Sequence, residues 1–252
     1  MDCLILAAGY AMRLRPLTDA VPKQLLPVGG RPMVDWILDK VHEAGIDDVH
    51  LVTNARFANL FDRWADGKGV RVHDDGTMSN EDRLGAIGDI RFVQEQAGLD
   101  GDLLVIAGDN LFDYALSGFV AFWREKGGSA LAVHDVGDLA LVRRYGVVDV
   151  DADDRIVSFV EKPEHPPSTL AATATYLYTR EHAALVPRYL AEGNPPDQPG
   201  NYVAWLHTRG PVHAYAFPGG WWDIGDPQQL LQADNMMRAR AGLPERDTYS
   251  LE

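Results

Sequence analysis

Residues 3–14, CLILAAGYAMRL, decide how this chain is expected to fold. The opening apolar run is typical of a strand buried on both faces, and Gly9 then ends it in a tight turn. Successive backbone N–H groups in such a turn form a concave anion site, and Arg13 adds positive charge. Further on, PKQLLP at 22–27 holds Lys23 in a stiff segment between two prolines. The stretch therefore predicts a strand followed by a phosphate-binding loop.

Outside this stretch, short aliphatic runs alternate with helical patterns through the first half of the chain. Strands are predicted at 3–7, 49–52, 70–72 and 103–107, and helices at 34–41, 58–65 and 86–95. The second half favours strands in closer succession, at 130–133, 146–150, 156–160, 173–178 and 212–217, and a last helix after Gln229. These patterns predict an α/β fold, Rossmann-like, with a mixed, mainly parallel sheet flanked by helices.

Composition excludes several classes of protein. The 252 residues carry a formal net charge of −14, which argues against a nucleic-acid partner. An acidic chain that binds phosphates needs a local cluster of cations, backbone N–H groups or a metal ion. No apolar run approaches the roughly 18 residues of a membrane span. The single cysteine, Cys3, fits a buried strand position and a reducing compartment, so we expect a cytoplasmic protein without a membrane partner.

A candidate metal ligand follows the strand at 103–107. Asp109 lies in the segment Gly108-Asp109-Asn110, directly after that strand. A carboxylate at the carboxyl end of a parallel strand, in a sheet whose first loop holds phosphate, is well placed for Mg²⁺. The alternative is a turn aspartate that caps the next helix.

Taken together, these phrases resemble the sugar-phosphate nucleotidyltransferase (NDP-sugar pyrophosphorylase) family. That family's signature is Gly-x-Gly-(Ser/Thr)-Arg-Leu-x-Pro-x-Thr followed by Pro-Lys-x-Leu-x-Pro, and residues 23–28 are especially similar to glucose-1-phosphate thymidylyltransferases. Ala11 replaces the second glycine, and Met12 replaces the usual hydroxyl residue. The loop lacks both the Walker A pattern and the full dinucleotide fingerprint, so a dinucleotide oxidoreductase is poorly supported.

Later motifs follow in the family's order and imply its site. Residues 144–148 (RYGVV) and 161–163 (EKP) resemble the sugar-phosphate pocket, and 221–225 (WWDIG) resembles Trp-x-Asp-x-Gly, whose aspartate joins the first in binding the cation. The resemblance implies catalytic residues Arg13 and Lys23; nucleotide-binding residues Leu6, Ala8, Gly9, Tyr10, Ala11, Met12, Leu84 and Gly85; sugar-phosphate-binding residues Tyr145, Gly146, Glu161 and Lys162; and Mg²⁺ ligands Asp109 and Asp223.

The same resemblance implies a GT-A-like nucleotidyltransferase fold in one domain over 1–252. Residues of about 1–128 would form the nucleotide-binding half and about 129–252 the sugar-binding half. Little sequence follows Gly242, so no β-helix extension is expected. A homo-oligomer is compatible with the family.

The implied enzyme transfers a nucleoside monophosphate from a triphosphate, dTTP or UTP being favoured, to a sugar 1-phosphate, glucose 1-phosphate being favoured. Two alternatives stay open. One is a CTP-dependent cytidylyltransferase acting on a non-sugar phosphate such as phosphocholine, for which aromatic residues near 221 would supply a cage. The other is a catalytically silent nucleotide-sugar sensor, which the departures at Ala11 and Met12 favour.

Overall fold

The computed structural model describes residues 1–251. The strands of this part of the chain are β1 (Asp2–Leu6), β2 (Pro27–Val28), β3 (Arg31–Pro32), β4 (Val49–Thr53), β5 (Val70–Asp74), β6 (Leu103–Ala107), β7 (Asn110–Phe112), β8 (Ser129–Asp135), β9 (Gly146–Val150), β10 (Ile156–Glu161), β11 (Leu170–Tyr178), β12 (Val212–Ala216) and β13 (Trp221–Asp223). Its α-helices are α1 (Met33–Glu43), α2 (Ala58–Ala65), α3 (Ala86–Ala97), α4 (Leu116–Lys126), α5 (Leu139–Val142), α6 (Arg180–Ala183), α7 (Val186–Ala191), α8 (Pro199–Leu206) and α9 (Pro227–Arg240).

One large mixed sheet organises the described residues. Seven of its strands follow the order β10-β9-β11-β6-β1-β4-β5, and β8 and β12 extend it beside β11. Strands β6, β1, β4 and β5 are parallel, whereas β11 runs antiparallel to β6. The predicted mixed, mainly parallel sheet flanked by helices is confirmed.

The apolar core lies on both faces of the sheet because neighbouring strand residues point in opposite directions. On β1, Cys3 and Ile5 pack with helices α1, α2 and α4 on one face, whereas Leu4 packs with α3, α7 and α8 on the other. All three side chains are fully buried. The predicted burial of Cys3 is thereby confirmed.

The parallel centre of the sheet brings two loops to one edge. Leu6 of β1 is in register with Ala107 of β6, so the phosphate loop and Asp109 begin side by side. The Gly108 N–H donates to the Leu6 carbonyl at 2.9 Å and continues this contact beyond the strands. This edge is where open α/β sheets bind ligands.

At this edge the structure excludes one alternative from the sequence analysis and corrects one predicted strand boundary. Asp109 caps no helix, because the short strand β7 follows it and pairs antiparallel with β13. Strand β11 begins at Leu170 and is longer than predicted, and its register shifts between Ala172 and Tyr176, where Ala174 has a φ of 53°. No helix within residues 1–251 combines the length and apolar character needed to cross a membrane.

Candidate functional site

A small apolar cluster anchors four of the five segments that carry the predicted charged residues. Leu14, Leu26, Leu111 and Ile224 are all buried in this cluster, together with α9. Leu14 and Ile224 directly follow a predicted site residue, and Leu26 and Leu111 come two or three positions after one. Because buried side chains pack tightly and resist displacement, the cluster fixes the four backbones relative to one another.

Lys23 and Asp109 form a buried ion pair. The Lys23 Nζ lies 2.8 Å from Asp109 Oδ2, and its side chain is only 7% exposed, whereas that of Asp109 is 32% exposed. Burial opposes ionisation of Asp109, but the Lys23 charge and the hydrogen bonds from Lys23 and Asn110 hold its pKa below the usual range. Asp109 is therefore a carboxylate at neutral pH, and its remaining exposed surface faces a cavity.

Asp223 reaches the same place through strand pairing. Across β7 and β13, Asp223 is in register with Asn110, and the Ile224 N–H donates to the Asp109 carbonyl at 3.4 Å. Burial raises the pKa of Asp223, and the nearby Asp109 charge raises it further. A pair of carboxylates that repel each other in a partly buried site favours a bound cation.

Three cationic side chains lie near enough to Asp223 to influence its ionisation. Lys23, Arg13 and Lys162 each act electrostatically on Asp223 to lower its pKa, against the effects of burial and Asp109. These five residues were all predicted as site residues, from motifs spread over residues 13–223. The structure brings them together.

Gly225 makes room for Arg13. A β-carbon at Gly225 would lie 3.0 Å from Arg13 Nη2 and 3.2 Å from the Gln229 side-chain oxygen. The Gly225 N–H donates to that same Gln229 oxygen at 2.7 Å. Gly225, the glycine of the Trp-x-Asp-x-Gly motif, thus leaves space for the Arg13 guanidinium beside the backbone.

The phosphate loop opens onto a cavity of about 280 Å³. Its lining includes Gly9, Ala11, Met12, Arg13, Lys23 and Asp109. Ala11 has a left-handed backbone, with φ of 44°, and its carbonyl accepts from Thr18 Oγ1 at 3.1 Å and from the Leu14 N–H at 3.0 Å. Ala11 thus adopts the conformation that the family's glycine favours, at some steric cost.

The other predicted nucleotide-binding residues do not line this cavity. Leu6 ends β1; the buried Ala8 has its carbonyl bound by Asn54 Nδ2 at 2.9 Å; and the Tyr10 hydroxyl is 3.1 Å from Thr77 Oγ1. Leu84 and Gly85 lie immediately before α3. Gly85 has a φ of 79°, and a β-carbon there would come within 2.8 Å of the Pro196 carbonyl.

A second cavity, of about 180 Å³, lies on the other side of the aspartates. It is lined by Tyr145, Gly146, Glu161, Lys162 and Asp223, among others. All four predicted sugar-phosphate residues therefore share one concave surface with a predicted metal ligand. The two cavities neighbour each other at the β7–β13 pairing, because Asp109 lines the first and the adjacent Asn110, with its strand partner Asp223, lines the second.

The backbone at Lys162 directs two neighbouring side chains into one cavity. Successive strand residues normally point to opposite faces. Lys162 has a φ of 47°, and its N–H donates to the Tyr145 carbonyl at 3.0 Å. This turn at the end of β10 lets Glu161 and Lys162 line the same pocket, with Lys162 Nζ 3.7 Å from Glu161 Oε1.

Glu161 is held between two glycines. A β-carbon at Gly146 would lie 2.9 Å from Glu161 Oε2, and one at Gly200 would lie 3.0 Å from it. Burial raises the pKa of Glu161, and Lys162 partly offsets the rise. The carboxyl group lies in a narrow, partly desolvated slot, which suits an acceptor of hydroxyl hydrogen bonds.

A larger cavity, of about 380 Å³, lies behind the β7–β13 pairing. Arg31, Trp36, Asp113, Trp222 and Arg240 contribute to its lining. It contains none of the predicted site residues. Its size alone does not make it the candidate site, because the predicted charged residues lie at the sheet edge instead.

The sequence pattern of the Nucleotidyl transferase family matches residues 2–240. The chain belongs to this family. The match confirms the resemblance found in the motifs. It extends through all the segments that contribute to the two cavities.

Relatives within the family are named for sugar-phosphate substrates. A UTP–glucose-1-phosphate uridylyltransferase of Synechocystis sp. is 30% identical over 245 residues, covering 92% of this chain and 62% of the relative. A mannose-1-phosphate guanylyltransferase of Mycobacterium tuberculosis is 28% identical over 248 residues, covering 97% of this chain and 67% of the relative. This nucleotidyl transferase family member thus spans about three fifths of the length of the first of these relatives.

Solved structures share the fold. A UDP-glucose pyrophosphorylase complexed with UDP-glucose superposes with a TM-score of 0.80 at 24% identity, covering 95% of this chain and 98% of that one. At that identity the likeness shows the nucleotidyl transferase fold alone. The predicted fold class is confirmed by this comparison as well as by the sheet topology.

Several residues that line the two candidate cavities were not among the predicted site residues. Gln24 and Asn80 line the first cavity, and Asn110, Gly200 and Trp221 line the second. Gln24 is 4% exposed, and its side-chain oxygen has no hydrogen-bond partner within the described residues. Its position beside Lys23 could have identified it, whereas nothing in the local sequence marks Gly200.

Proposed function

We propose that this chain joins a sugar 1-phosphate to a nucleoside triphosphate, forming an NDP-sugar and releasing pyrophosphate. The observation that carries the proposal is a pair of neighbouring cavities, one lined by Asp109 with Arg13 and Lys23 and the other by Asp223 with Lys162. Two phosphorylated reactants need such a concentration of positive charge in a protein whose formal net charge is −14. Both relatives described above are named for reactions of this class.

In the proposed reaction, an oxygen of the sugar phosphate attacks the α-phosphorus of the triphosphate. A new P–O bond forms, and the bond between the α-phosphorus and the α–β bridging oxygen breaks in line with it, so pyrophosphate leaves. The nucleophile is already ionised at neutral pH, and no protein base has to remove a proton. The protein's task is therefore to position the reactants and to neutralise charge.

The chain's own side chains divide this task. Arg13 binds the triphosphate, Lys23 stabilises the α-phosphate as negative charge develops on it, and Lys162 orients the incoming phosphate. Glu161 and the Gly146 backbone hold sugar hydroxyls in the second cavity. Lys23 is buried and held at 2.8 Å from Asp109, so its ammonium is positioned before substrate arrives.

The two aspartates fit Mg²⁺. They present carboxylate oxygens from adjacent backbone segments, and no group of three or more His, Cys, Asp or Glu side chains within residues 1–251 could hold a metal ion by itself. Mg²⁺ commonly binds through one or two carboxylates and substrate phosphates. When bound by Asp109 and Asp223, the ion would neutralise phosphate charge as a Lewis acid.

For the substrates, we propose dTTP or UTP as donor and glucose 1-phosphate as acceptor. Residues 23–28 resemble those of thymidylyltransferases, and the Synechocystis relative is named for UTP and glucose 1-phosphate. The mannose-1-phosphate guanylyltransferase relative makes GTP with mannose 1-phosphate the competing pair. Neither relative is named for a non-sugar phosphate. We also propose a cytoplasmic location, because a single cysteine, Cys3, suits a reducing compartment.

A substrate matrix tests the proposal. Five triphosphates are combined with glucose, galactose, mannose and N-acetylglucosamine 1-phosphates and with phosphocholine, in the presence of Mg²⁺. Pyrophosphate release is measured, and the NDP-sugar is identified by mass spectrometry. We expect release with a sugar 1-phosphate and none with phosphocholine. Absence of release in every combination, in a protein that still binds NDP-sugars, would instead support a silent sensor.

A further inference from the structure

Two adjacent tryptophans in β13 face opposite sides of the strand, as neighbouring strand residues do. Trp221 lines the second cavity, where its ring packs edge-on against Tyr145 with centroids 4.8 Å apart. Trp222 lines the larger cavity on the other side, and the Arg240 guanidinium lies 5.3 Å from its ring centroid. Trp222 is therefore a matched control for Trp221, because only Trp221 lines the cavity proposed to bind substrate.

A chain of hydrogen bonds runs from Trp221 to the carboxylate of Asp109. The Trp221 Nε1–H donates to Asn110 Oδ1 at 2.7 Å, and Asn110 Nδ2 donates to Asp109 Oδ1 at 2.8 Å. Lys23 Nζ bonds to the other carboxylate oxygen, Oδ2. Both oxygens of Asp109 are thus held, each by a different element of the fold.

The chemistry of the partners dictates the orientation of the Asn110 amide. An indole N–H only donates, so the group facing it must be the amide oxygen. A carboxylate only accepts, so the group facing Asp109 must be the amide nitrogen. Asn110 is 4% exposed, and water cannot readily replace either bond. The amide is therefore locked in one orientation from both ends.

We propose that Trp221 is a positioning residue, whose indole N–H holds Asn110 so that Asn110 in turn holds the Asp109 carboxylate in its working orientation. Without that N–H, the Asn110 oxygen is left buried and unpaired. Side chains one step removed from a metal-binding or reacting group commonly act in this manner. The wall of the proposed sugar cavity and the carboxylate at the proposed reaction centre are then parts of one rigid unit.

This inference rests on the proposed function for its kinetic part, and a binding measurement tests it separately. Trp221→Phe keeps an aromatic ring and removes the N–H, and Trp222→Phe makes the same chemical change on the opposite face. For Trp221→Phe we expect kcat to fall on the order of tenfold, with the KM for triphosphate changed less than about twofold. The affinity for Mn²⁺ without substrates, measured by electron paramagnetic resonance, should weaken on the order of tenfold. Trp222→Phe should change neither quantity.

Asn110→Ala removes the middle link of the same chain of hydrogen bonds. It provides a second test if Trp221→Phe does not fold. We expect it to weaken Mn²⁺ binding as Trp221→Phe does. In the double variant the two effects should not multiply, because both act through one amide. Equal behaviour of Trp221→Phe and Trp222→Phe, or fully multiplicative effects in the double variant, would overturn the inference. If the wild type binds Mn²⁺ but releases no pyrophosphate, the proposed function fails while the positioning chain is still tested.

Discussion

The Lys23 ammonium lies 2.8 Å from Asp109 Oδ2, although 86 residues separate the two in the chain. The lysine is almost wholly buried, whereas the aspartate keeps about a third of its side chain open to the cavity. This difference in exposure gives the two side chains different roles. The cation is fixed in a partly desolvated place, and the partner anion retains a face with which to bind something else.

Removal of the lysine charge should affect chemistry more than binding. For Lys23→Ala we expect kcat to fall on the order of 10²-fold or more, as for loss of a preorganised charge at the reacting group. The measurement is steady-state pyrophosphate release with the preferred substrate pair. The matched control is Lys68→Ala, which removes a cation that pairs with Asp35 and lines neither proposed substrate cavity. Near-normal turnover of Lys23→Ala would refute the assigned role.

Neutralisation of Asp109 should change the response to magnesium. Asp109→Asn keeps the size of the side chain and removes its charge, so we expect activity to saturate only at Mg²⁺ concentrations on the order of tenfold higher. The variant is titrated with Mg²⁺ at fixed substrate and compared with Asp113→Asn. Asp113 is close in sequence but pairs with Arg240 beside the larger cavity. An Asp109→Asn titration that superposes on the wild-type curve would exclude Asp109 from the metal site.

A methyl group at Gly225 should displace Arg13. The added carbon would lie 3.0 Å from Arg13 Nη2, closer than ordinary van der Waals contact, so the guanidinium has to move. We expect Gly225→Ala to raise the KM for triphosphate severalfold. This corresponds to a loss of binding free energy on the order of 1 kcal/mol, as for a weakened charge-assisted contact. A control is Gly101→Ala, whose new carbon would meet its nearest atom at 3.7 Å. Unchanged triphosphate KM in Gly225→Ala would show that Arg13 does not depend on this space.

Local sequence patterns account for the scaffold of the site, and long-range pairing accounts for what sequence analysis missed. The strand at 103–107 and the helix at 58–65 were predicted with the observed bounds, because their apolar residues follow a strand or helix periodicity. The three-residue strands β7 and β13 are too short to show any periodicity. Their pairing places Asn110 opposite Asp223. Such a long-range strand pairing cannot be predicted from the local pattern of one sequence.

The same reason explains which site residues were found. Lys23 lies within a proline-bounded segment and Asp109 lies just beyond a buried strand, whereas Arg13 was identified by the motif around it. Adjacent tryptophans more often pack in a core, and the sequence pattern gave Trp221 and Trp222 no separate roles. Both indoles are partly buried: Trp222 packs against the cluster with α9 and lines the larger cavity, whereas Trp221 packs against two other apolar clusters and lines the second cavity. Only the strand's alternation, seen with its partner β7, separates the two.

A buried carboxyl group outside the two cavities gives a testable pH dependence. Asp89, in the first turn of α3, is 6% exposed, and burial followed by the neighbouring Asp75 charge and hydrogen bond raises its pKa to about 8. The folded protein therefore keeps a proton on Asp89 at neutral pH, whereas the unfolded chain, with a pKa near that of free aspartate, has released it. Because the folded state binds this extra proton, it loses stability relative to the unfolded chain as the pH rises. Asp89 should thus lower the free energy of unfolding as pH rises from the unfolded pKa of about 4 towards 8, at up to about 1.4 kcal/mol per pH unit.

Asp89→Asn should remove this slope, because an amide has no proton to release in either state. We expect the variant and the wild type to differ little in stability near pH 4 and the variant to be the more stable by pH 8. Urea unfolding followed by circular dichroism at several pH values measures the difference. Asp62→Asn, an exposed position on α2, serves as the control for the loss of one negative charge. If the Asp89→Asn and wild-type stability curves run parallel from pH 4 to 8, Asp89 is ionised in the folded protein, and its contact with Asp75 requires a different proton donor.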